Sequence, residues 1–349
     1  MYGATETSEI HSAALEGMGS LAAELGVDLC EVLRRHGIPP DLNALGKRVR
    51  LSLFAELLED CAFESGDECF ALRLASEQEP TQAGAIAYAM KNAPTVQDGL
   101  VTMIRFIRTC IDTQHIELIT DGGRSTLEWS ISPMIGRRTQ LTDFVAVSIS
   151  RKIAFMLDSE SWRPRGVRLE RPIPKTMDLH REILGPTQFE QRTNSIAFDT
   201  ATLNLPLVEP DPQLHSVAID LLKRMASERG PSTDLLKQCR EEFIWGLENG
   251  EAPQLNCLAN RLGMSARTLQ RELTELGATF QTLLDETRHV MAKHYLETTK
   301  LPLSQIGFRL GFSSPSAFTR ACRRWFGASP SQVRRHAPSV HKPGKVQKG

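Results

Sequence analysis

In SARTLQRELTEL, Arg267, Gln270, Arg271 and Thr274 recur at i, i+3, i+4 and i+7, so a helix there carries all four on one face. Leu269, Leu273 and Leu276, at i, i+4 and i+7, fall on the opposite face. Such a polar face can bond to flat base edges: a guanidinium pairs bidentately with guanine O6 and N7, and a carboxamide with adenine N6 and N7. When Gly263 is counted to Gly311, the same punctuation returns 48 positions later, RLGMS becoming RLGFS. In that second stretch Ser316, Thr319, Arg320 and Arg323 face outward, and Phe318, Cys322 and Trp325 form the apolar stripe. Taken singly, each stretch also reads as an amphipathic helix whose charged face is merely solvated. The repetition weighs against that plainer reading.

Each polar face needs a frame. QLNCLANRL reads as a short helix stopped at Gly263, where the missing Cβ permits a tight turn. Ser265 is placed to cap the next helix by accepting from a backbone N–H. LSQIGFRL, Gly311 and Ser313 repeat helix, turn and cap, and Pro315 is tolerated in a first helical turn. Helix, glycine turn and capped helix together make a helix-turn-helix pattern. FQTLLDETRHVMAKHYLETT joins the copies as one helix of roughly 18 residues, about 27 Å long. Two reading helices held about 34–36 Å apart meet successive major grooves on one side of a duplex.

The charge distribution agrees. From Glu251 onward 15 Lys+Arg face 6 Asp+Glu, a balance of +9, whereas residues 1–250 hold 26 basic and 36 acidic residues, a balance of −10. A basic quarter on an acidic body suits a polyanionic partner. The seven cysteines are scattered, with no C-x-x-C pair, which argues against a disulfide framework or structural zinc and fits a reducing cytoplasm. MYGATETSEI lacks the features of a secretory leader, and no apolar run reaches 18 residues, so no membrane association is expected.

Residues 10–210 read as one mixed body. EIHSAALEGMGSLAAEL, DLCEVLRRHGI, LSLFAELLEDCA, TQAGAIAYAMKN and TVQDGLVTMIRFIRTC have helical spacing. QHIELIT and STLEWSIS alternate around DGGR as a hairpin. A long helix, QLTDFVAVSISRKIAFML, follows; RGVRLERPIP and NSIAFDTATL read as strands of a small antiparallel sheet, with KTMDLHREILG a short helix between them. Pro206, Pro210 and Pro212 mark the exit from this body. GMGSLA mimics a dinucleotide-binding glycine pattern but lies inside helical spacing, so it reads as helix packing. His180 and His289, each isolated on a helical pattern, read as structural.

The last quarter of the chain resembles the AraC/XylS family of bacterial transcription regulators. LANRLGMSARTLQRELTELGATFQTLLDETRHVMAKHYL and IGFRLGFSSPSAFTRACRRWFGASPSQVRR carry the resemblance, the second with Leu-Gly-Phe-Ser, Ser-x-Phe-x-Arg-Ala, Arg-Trp-x-Gly and Ser-Pro in order. Gly307 and Cys322 depart from the usual alanine and phenylalanine, which predicts looser packing around the second unit. The resemblance implies base contacts from Arg267, Gln270, Arg271, Ser316 and Arg320. It implies backbone contacts from Thr274, Thr319, Arg323 and Arg324, with Gly263, Ser265, Gly311 and Ser313 building the turns and caps. Small side chains at Ser314, Pro315 and Ser316 offer few bonds to bases, so the first copy is expected to read sequence and the second mostly to clamp the backbone.

More diffusely, GAIAYAMKNAPTVQDGLVTMIRFI, RGVRLERPIP and SIAFDTATLNLPL are similar to the α/β regulatory domain of the branch of this family that contains regulators of amino-acid catabolism. The expected fold class is therefore α+β: a mixed α/β N-terminal regulatory domain, then an all-α C-terminal domain with two helix-turn-helix units joined by a long helix. The expected boundaries are 10–210 for an effector-binding and dimerisation domain, 211–232 for a linker helix, 233–337 for the DNA-binding domain and 338–349 for a disordered basic tail. The implied partners are double-stranded operator DNA, a small-molecule effector, a second copy of the chain in a homodimer, and RNA polymerase if the protein activates. No cofactor, metal or catalytic residue is expected. Arg105, Arg108, His115 and Trp129 could line an effector pocket, but such residues are more often surface charges or a half-buried aromatic, so no effector contact is assigned. Two rival functions stay open: a ligand-binding protein with a degenerate DNA-binding module, and a DNA-repair alkyltransferase, whose zinc-held acceptor cysteine has no counterpart in the cysteine spacing.

Overall fold

The computed structural model describes residues 8–39, 48–111, 115–132, 135–227, 231–299 and 301–336. The tail expected at 338–349 lies outside the described residues. The chain divides into two compact units, one spanning Glu6–Gly230 and one running from Pro231 onward.

The first unit opens with β1 (Glu9–His11), α1 (Met18–Glu24), α2 (Leu29–Arg35), β2 (Arg48–Arg50), α3 (Leu51–Ser65), α4 (Phe70–Glu77), α5 (Ala85–Lys91) and α6 (Val96–Phe106). The hairpin β3 (His115–Asp121) and β4 (Arg124–Ser130) follows, and α7 (Thr139–Met156), β5 (Gly166–Arg168), α8 (Asp178–Leu184), β6 (Thr187–Gln188), β7 (Asn194–Asp199) and α9 (Pro212–Ser227) complete the unit. The main sheet has the order β3-β4-β7-β5-β6. Its neighbours are antiparallel except β5 and β6, which run parallel, so the sheet is mixed rather than purely antiparallel. The apolar stripe of LSLFAELLEDCA is buried on α3, where Phe54 meets Phe144 of α7 edge-on at 5.0 Å. Helix α7 is the unit's central rod, packed against α3, α4 and β7.

Four sequence expectations change. EIHSAALEGMGSLAAEL is not one helix: Glu9–His11 form β1, Ser12–Leu15 a 3-10 turn, and the α-helix starts at Met18. Pairing of β1 with β2, with Glu9 opposite Arg50, overrides the local helical spacing. RGVRLERPIP contracts to the three-residue β5, and beyond it Pro172 and Pro174, which cannot donate to a ladder, keep the strand from resuming. NSIAFDTATL is strand only to Asp199, after which Thr200–Asn204 turn as a 3-10 helix. Helix α9, read as a linker, lies in the first unit, with Ala218 and Leu222 in its core, whereas Leu214, Val217 and Leu221 remain exposed.

The second unit comprises α10 (Pro231–Glu248), α11 (Leu255–Arg261), α12 (Ala266–Glu275), α13 (Phe280–Thr298), α14 (Leu303–Arg309), α15 (Pro315–Phe326) and α16 (Pro330–His336). Helix α13, at 19 residues, is its spine. A capping box between Thr279 and Thr282 starts it. Helix α10 lies along it, with Phe243 edge-on to Phe280 at 5.1 Å and Tyr295 Oη donating to Glu248 at 2.9 Å.

Candidate nucleic-acid interface

Helices α11 and α12 meet at Gly263, whose φ of +69° lies in the left-handed region that favours glycine. Ser265 Oγ then accepts from the Thr268 N–H at 3.1 Å, satisfying one of the orphan donors at the start of α12. Leu269 and Leu273 are buried, and the opposite face leaves Arg267, Gln270, Arg271 and Thr274 exposed. Arg267 has no ion-pair partner among the described residues. Arg271 Nε lies 3.7 Å from Glu275, but both side chains are 67% exposed, so water screens this pair and leaves the guanidinium available. The Thr274 hydroxyl donates to the Gln270 carbonyl at 2.8 Å, so its one donor is committed within its own helix.

The second frame has the same outline with different fastenings. Gly311 has a φ of +70°. The cap of α15 is Ser314, not Ser313: Ser314 Oγ accepts from the Ala317 N–H at 3.2 Å. Pro315, with its φ pre-set for the helix and no N–H to satisfy, occupies the first helical position, and the cap must directly precede it. Phe318, Ala321 and Cys322 are buried; Ser316, Arg320 and Arg323 are exposed, and Thr319 is half-buried with its hydroxyl donating to the Pro315 carbonyl at 2.9 Å. Arg324 is ion-paired with Asp285 of α13, whose other oxygen accepts from Trp325 Nε1 at 3.0 Å. Gly307 does not loosen this unit. A Cβ there would stand 3.1 Å from Phe318 Cβ, so glycine lets α14 and α15 approach closely.

Motif reading missed Arg288 of α13. Its Nε donates to the Leu310 carbonyl at 2.8 Å, its Nη2 to the Gly311 carbonyl at 3.2 Å, and its guanidinium lies 5.1 Å from the Phe312 ring centre. Burial lowers its pKa from the ordinary arginine value. This side chain props the second turn from below. Inside the helical spacing of α13 it looks like any outward basic residue, and only the fold directs it to the turn. Arg261 plays a comparable part at the end of α11, lying 4.1 Å from the Trp245 ring centre and 3.6 Å from Glu242.

In the first unit a cavity of about 1140 Å³, its open mouth included, lies between α7, the hairpin and the segment around Glu79–Ala83. Trp129 lines it, whereas Arg105 and Arg108 do not, and the side chain of His115 lies outside the described residues. Elsewhere in the unit, His180 Nε2 lies 3.2 Å from Asp143, Arg171 is ion-paired with the same carboxylate, and Cys69 Sγ is 4.0 Å from His180 Nδ1. The spacing resembles a nucleophile, base and orienter. However, all four residues are buried, and burial, with Asp143's charge adding to it, pushes the Cys69 thiol up to about 11. A protonated thiol out of reach of solvent is no nucleophile, and the cluster fastens α4, α7 and α8 together. Among the described residues no helix is long and apolar enough to cross a membrane.

Two helix-turn-helix frames on one spine, in a chain whose other unit holds an open, largely apolar cavity, define the class: a DNA-binding regulator with an effector domain. The family comparisons give the same division. Residues 26–207 match the arabinose-binding N-terminal domain of AraC transcription regulators, and residues 258–336 match a helix-turn-helix domain model. The chain belongs to the AraC family of transcriptional regulators. It is similar to the HTH-type transcriptional regulator VirS of Mycobacterium tuberculosis, at 30% identity over 94% of this chain and 96% of that protein. It is also similar to an ornithine utilization regulator of Pseudomonas aeruginosa, at 26% identity over 91% and 94% of the two chains. Among solved structures, the transcriptional regulator CdpR from P. aeruginosa aligns over 90% of this chain and 98% of its own, at 18% identity and a TM-score of 0.42.

Proposed function

We propose that the second unit reads an operator through α12 and grips it through α15. Arg267, Gln270 and Arg271 meet base edges in one major groove, and Ser316 and Arg320 enter the next. Arg323 holds the phosphate backbone. Thr274, Thr319 and Arg324 join it there only by giving up an intramolecular partner. The observation that carries this reading is the exposed face of α12, where two guanidiniums and a carboxamide stand opposite buried Leu269 and Leu273. The protein acts in the cytoplasm as a homodimer held through its first unit and has no enzymatic activity. The cavity of that unit takes a small-molecule effector, and operator-bound protein contacts RNA polymerase where it activates. Similarity to a regulator named for ornithine utilization favours control of a catabolic or adaptive operon.

Genome-wide footprinting of the full chain tests the proposal. It should return a short recurrent sequence with two half-elements about one helical turn apart, next to genes for uptake or breakdown of a small molecule. Uniform, sequence-independent protection would overturn the base-reading role of α12.

A further inference from the structure

Much of the effector cavity's wall is apolar, and its charged members, Glu79, Arg151 and Lys152, stand out against it. Leu141, Phe144, Val145 and Ile149 of α7 line it, with Trp129 from β4 and Met103 from α6. Farther along the same helix, half-buried Lys152 also lines the cavity, and among the described residues its Nζ donates only to the Ser148 carbonyl of its own helix, at 3.3 Å. From Leu141 to Lys152 the wall follows α7 for about 16 Å, so the ammonium stands toward one end of a long greasy surface. An ammonium has three donors, and one backbone carbonyl takes one of them, leaving two for a ligand or for water. Placing such a charge against apolar walls is costly unless an anion joins it.

The neighbouring charges do not supply that anion. Arg151, also in the wall, adds a second positive charge, and its Nε is engaged by the Gln78 carbonyl at 3.2 Å. Glu79 is the wall's carboxylate and forms no ion pair with Lys152. His11, the wall's remaining titratable ring, accepts from the Ala13 N–H at its Nδ1. Cys110 also lines the cavity, near enough to Lys152 to interact with it. Burial, the largest influence on Lys152, lowers its pKa from the ordinary lysine value, and Arg151 adds to that.

We propose that this cavity binds an amphiphilic carboxylate, its apolar body lying along α7 against Phe144 and Trp129 and its carboxylate paired with Lys152. A polyol fits poorly, because each hydroxyl set against the aliphatic stretch would lose its hydrogen bonds to water without replacement. A cation fits worse, since it would meet Lys152 and Arg151 together. This inference rests on the reading of the cavity as the effector site and adds the chemical class of the effector.

Three probes of one chain length separate the two ideas on the full-length protein: octanoate, octanol and octylamine, each titrated calorimetrically at one pH. Octanoate should bind at least tenfold more tightly than octanol, with octylamine weakest. The Lys152→Met variant should bring octanoate down to the affinity of octanol and leave octanol unchanged, and Lys152→Arg should keep the preference. Equal affinity of octanol and octanoate on the unaltered protein, or undiminished octanoate binding by Lys152→Met, would sink the carboxylate while leaving the effector cavity standing. If none of the three binds, both readings fall. The comparison on unaltered protein is decisive even if a variant does not fold.

Discussion

At the first glycine turn, a Cβ added to Gly263 would meet nothing within 4 Å; at the second, one added to Gly311 would meet Arg288 Nη2 at 3.0 Å and Leu247 Cδ2 at 3.1 Å. Among the described residues no side-chain hydrogen bond ties α12 to another element, whereas α15 is fastened to α13 through Asp285 and its leading turn through Arg288. The helix whose exposed face carries two guanidiniums and a carboxamide is thus the less braced of the two. The helix that opens with serine, proline and serine is locked to the spine. A reader gains from room to settle its long side chains onto base edges, while a clamp gains from arriving already shaped.

The turn glycines offer the largest test of that contrast. Gly263→Ala should cost about 1–2 kcal/mol, the ordinary penalty for a side chain in the left-handed region. Gly311→Ala should cost about 2–4 kcal/mol, because the new methyl must also displace a hydrogen-bonded arginine. Urea unfolding of the full chain measures both, following the transition of the second unit, and equal costs would show that the crowding at the second turn carries no energy.

The next test concerns binding. Gln270→Ala or Arg271→Ala should cost about 1–3 kcal/mol at one operator position and relax the preference there. Arg323→Ala should weaken binding to all sequences alike and reduce the salt slope by about one phosphate contact. Competition binding with single-base operator variants at several salt concentrations reads both, and a base-specific loss from Arg323→Ala would erase the distinction between reader and clamp.

Smaller effects sharpen the picture of the fastening. Asp285→Asn removes the ion pair to Arg324 and weakens the bond from Trp325. With the pair largely exposed, the expected loss of stability is about 0.5–1 kcal/mol, and the operator's base preferences should not change. Thermal unfolding together with the same competition assay would expose any change in specificity, which would place Asp285 in recognition rather than bracing.

The smallest expected effect is pH dependence at His289, whose ring stacks on Trp325 at 5.6 Å. Burial is the main reason its pKa is lowered from 6.5. A base whose folded pKa is depressed binds its proton more readily when unfolded, so its neutral form suits the fold above pH 6.5 and stability declines as the pH falls below that. The difference in melting temperature between the unaltered protein and His289→Gln, followed from pH 8 to 5, should show this decline. A flat difference would remove His289 from the account.

The two frames were legible in the sequence for a physical reason: a glycine turn, a cap and helical spacing are local, and each leaves its mark within a dozen residues. Even so, Ser313 was the wrong cap, since the cue that decides the matter is the proline one position after Ser314. Arg288 was invisible because its partners, Leu310 and Gly311, lie far along the chain. In the first unit, β3 and β4 alternate and could be read. The whole of β7 lay inside the stretch read as a strand, but its end at Asp199 was missed, because the apolar and β-branched run continues into the 3-10 turn of Thr200–Asn204. The short β1, β2 and β6 exist by virtue of their partners alone. Lys152 gave no signal, since a lysine in a long amphipathic helix is ordinary until a cavity forms beside it.

Asp285 and Arg288 sit one helical turn apart on α13, and both hold the second frame. The connector, turn and clamp helix therefore move as a single stiff piece, with little slack for adjusting to a duplex of the wrong pitch. On the proposed two-groove reading, a mismatch between the spacing of the two helices and the repeat of a straight double helix would be shared between the less braced α12 and a bend in the DNA. Because the elastic cost of bending depends on the base steps being bent, operators of this protein should be distinguished in part by positions that no side chain touches.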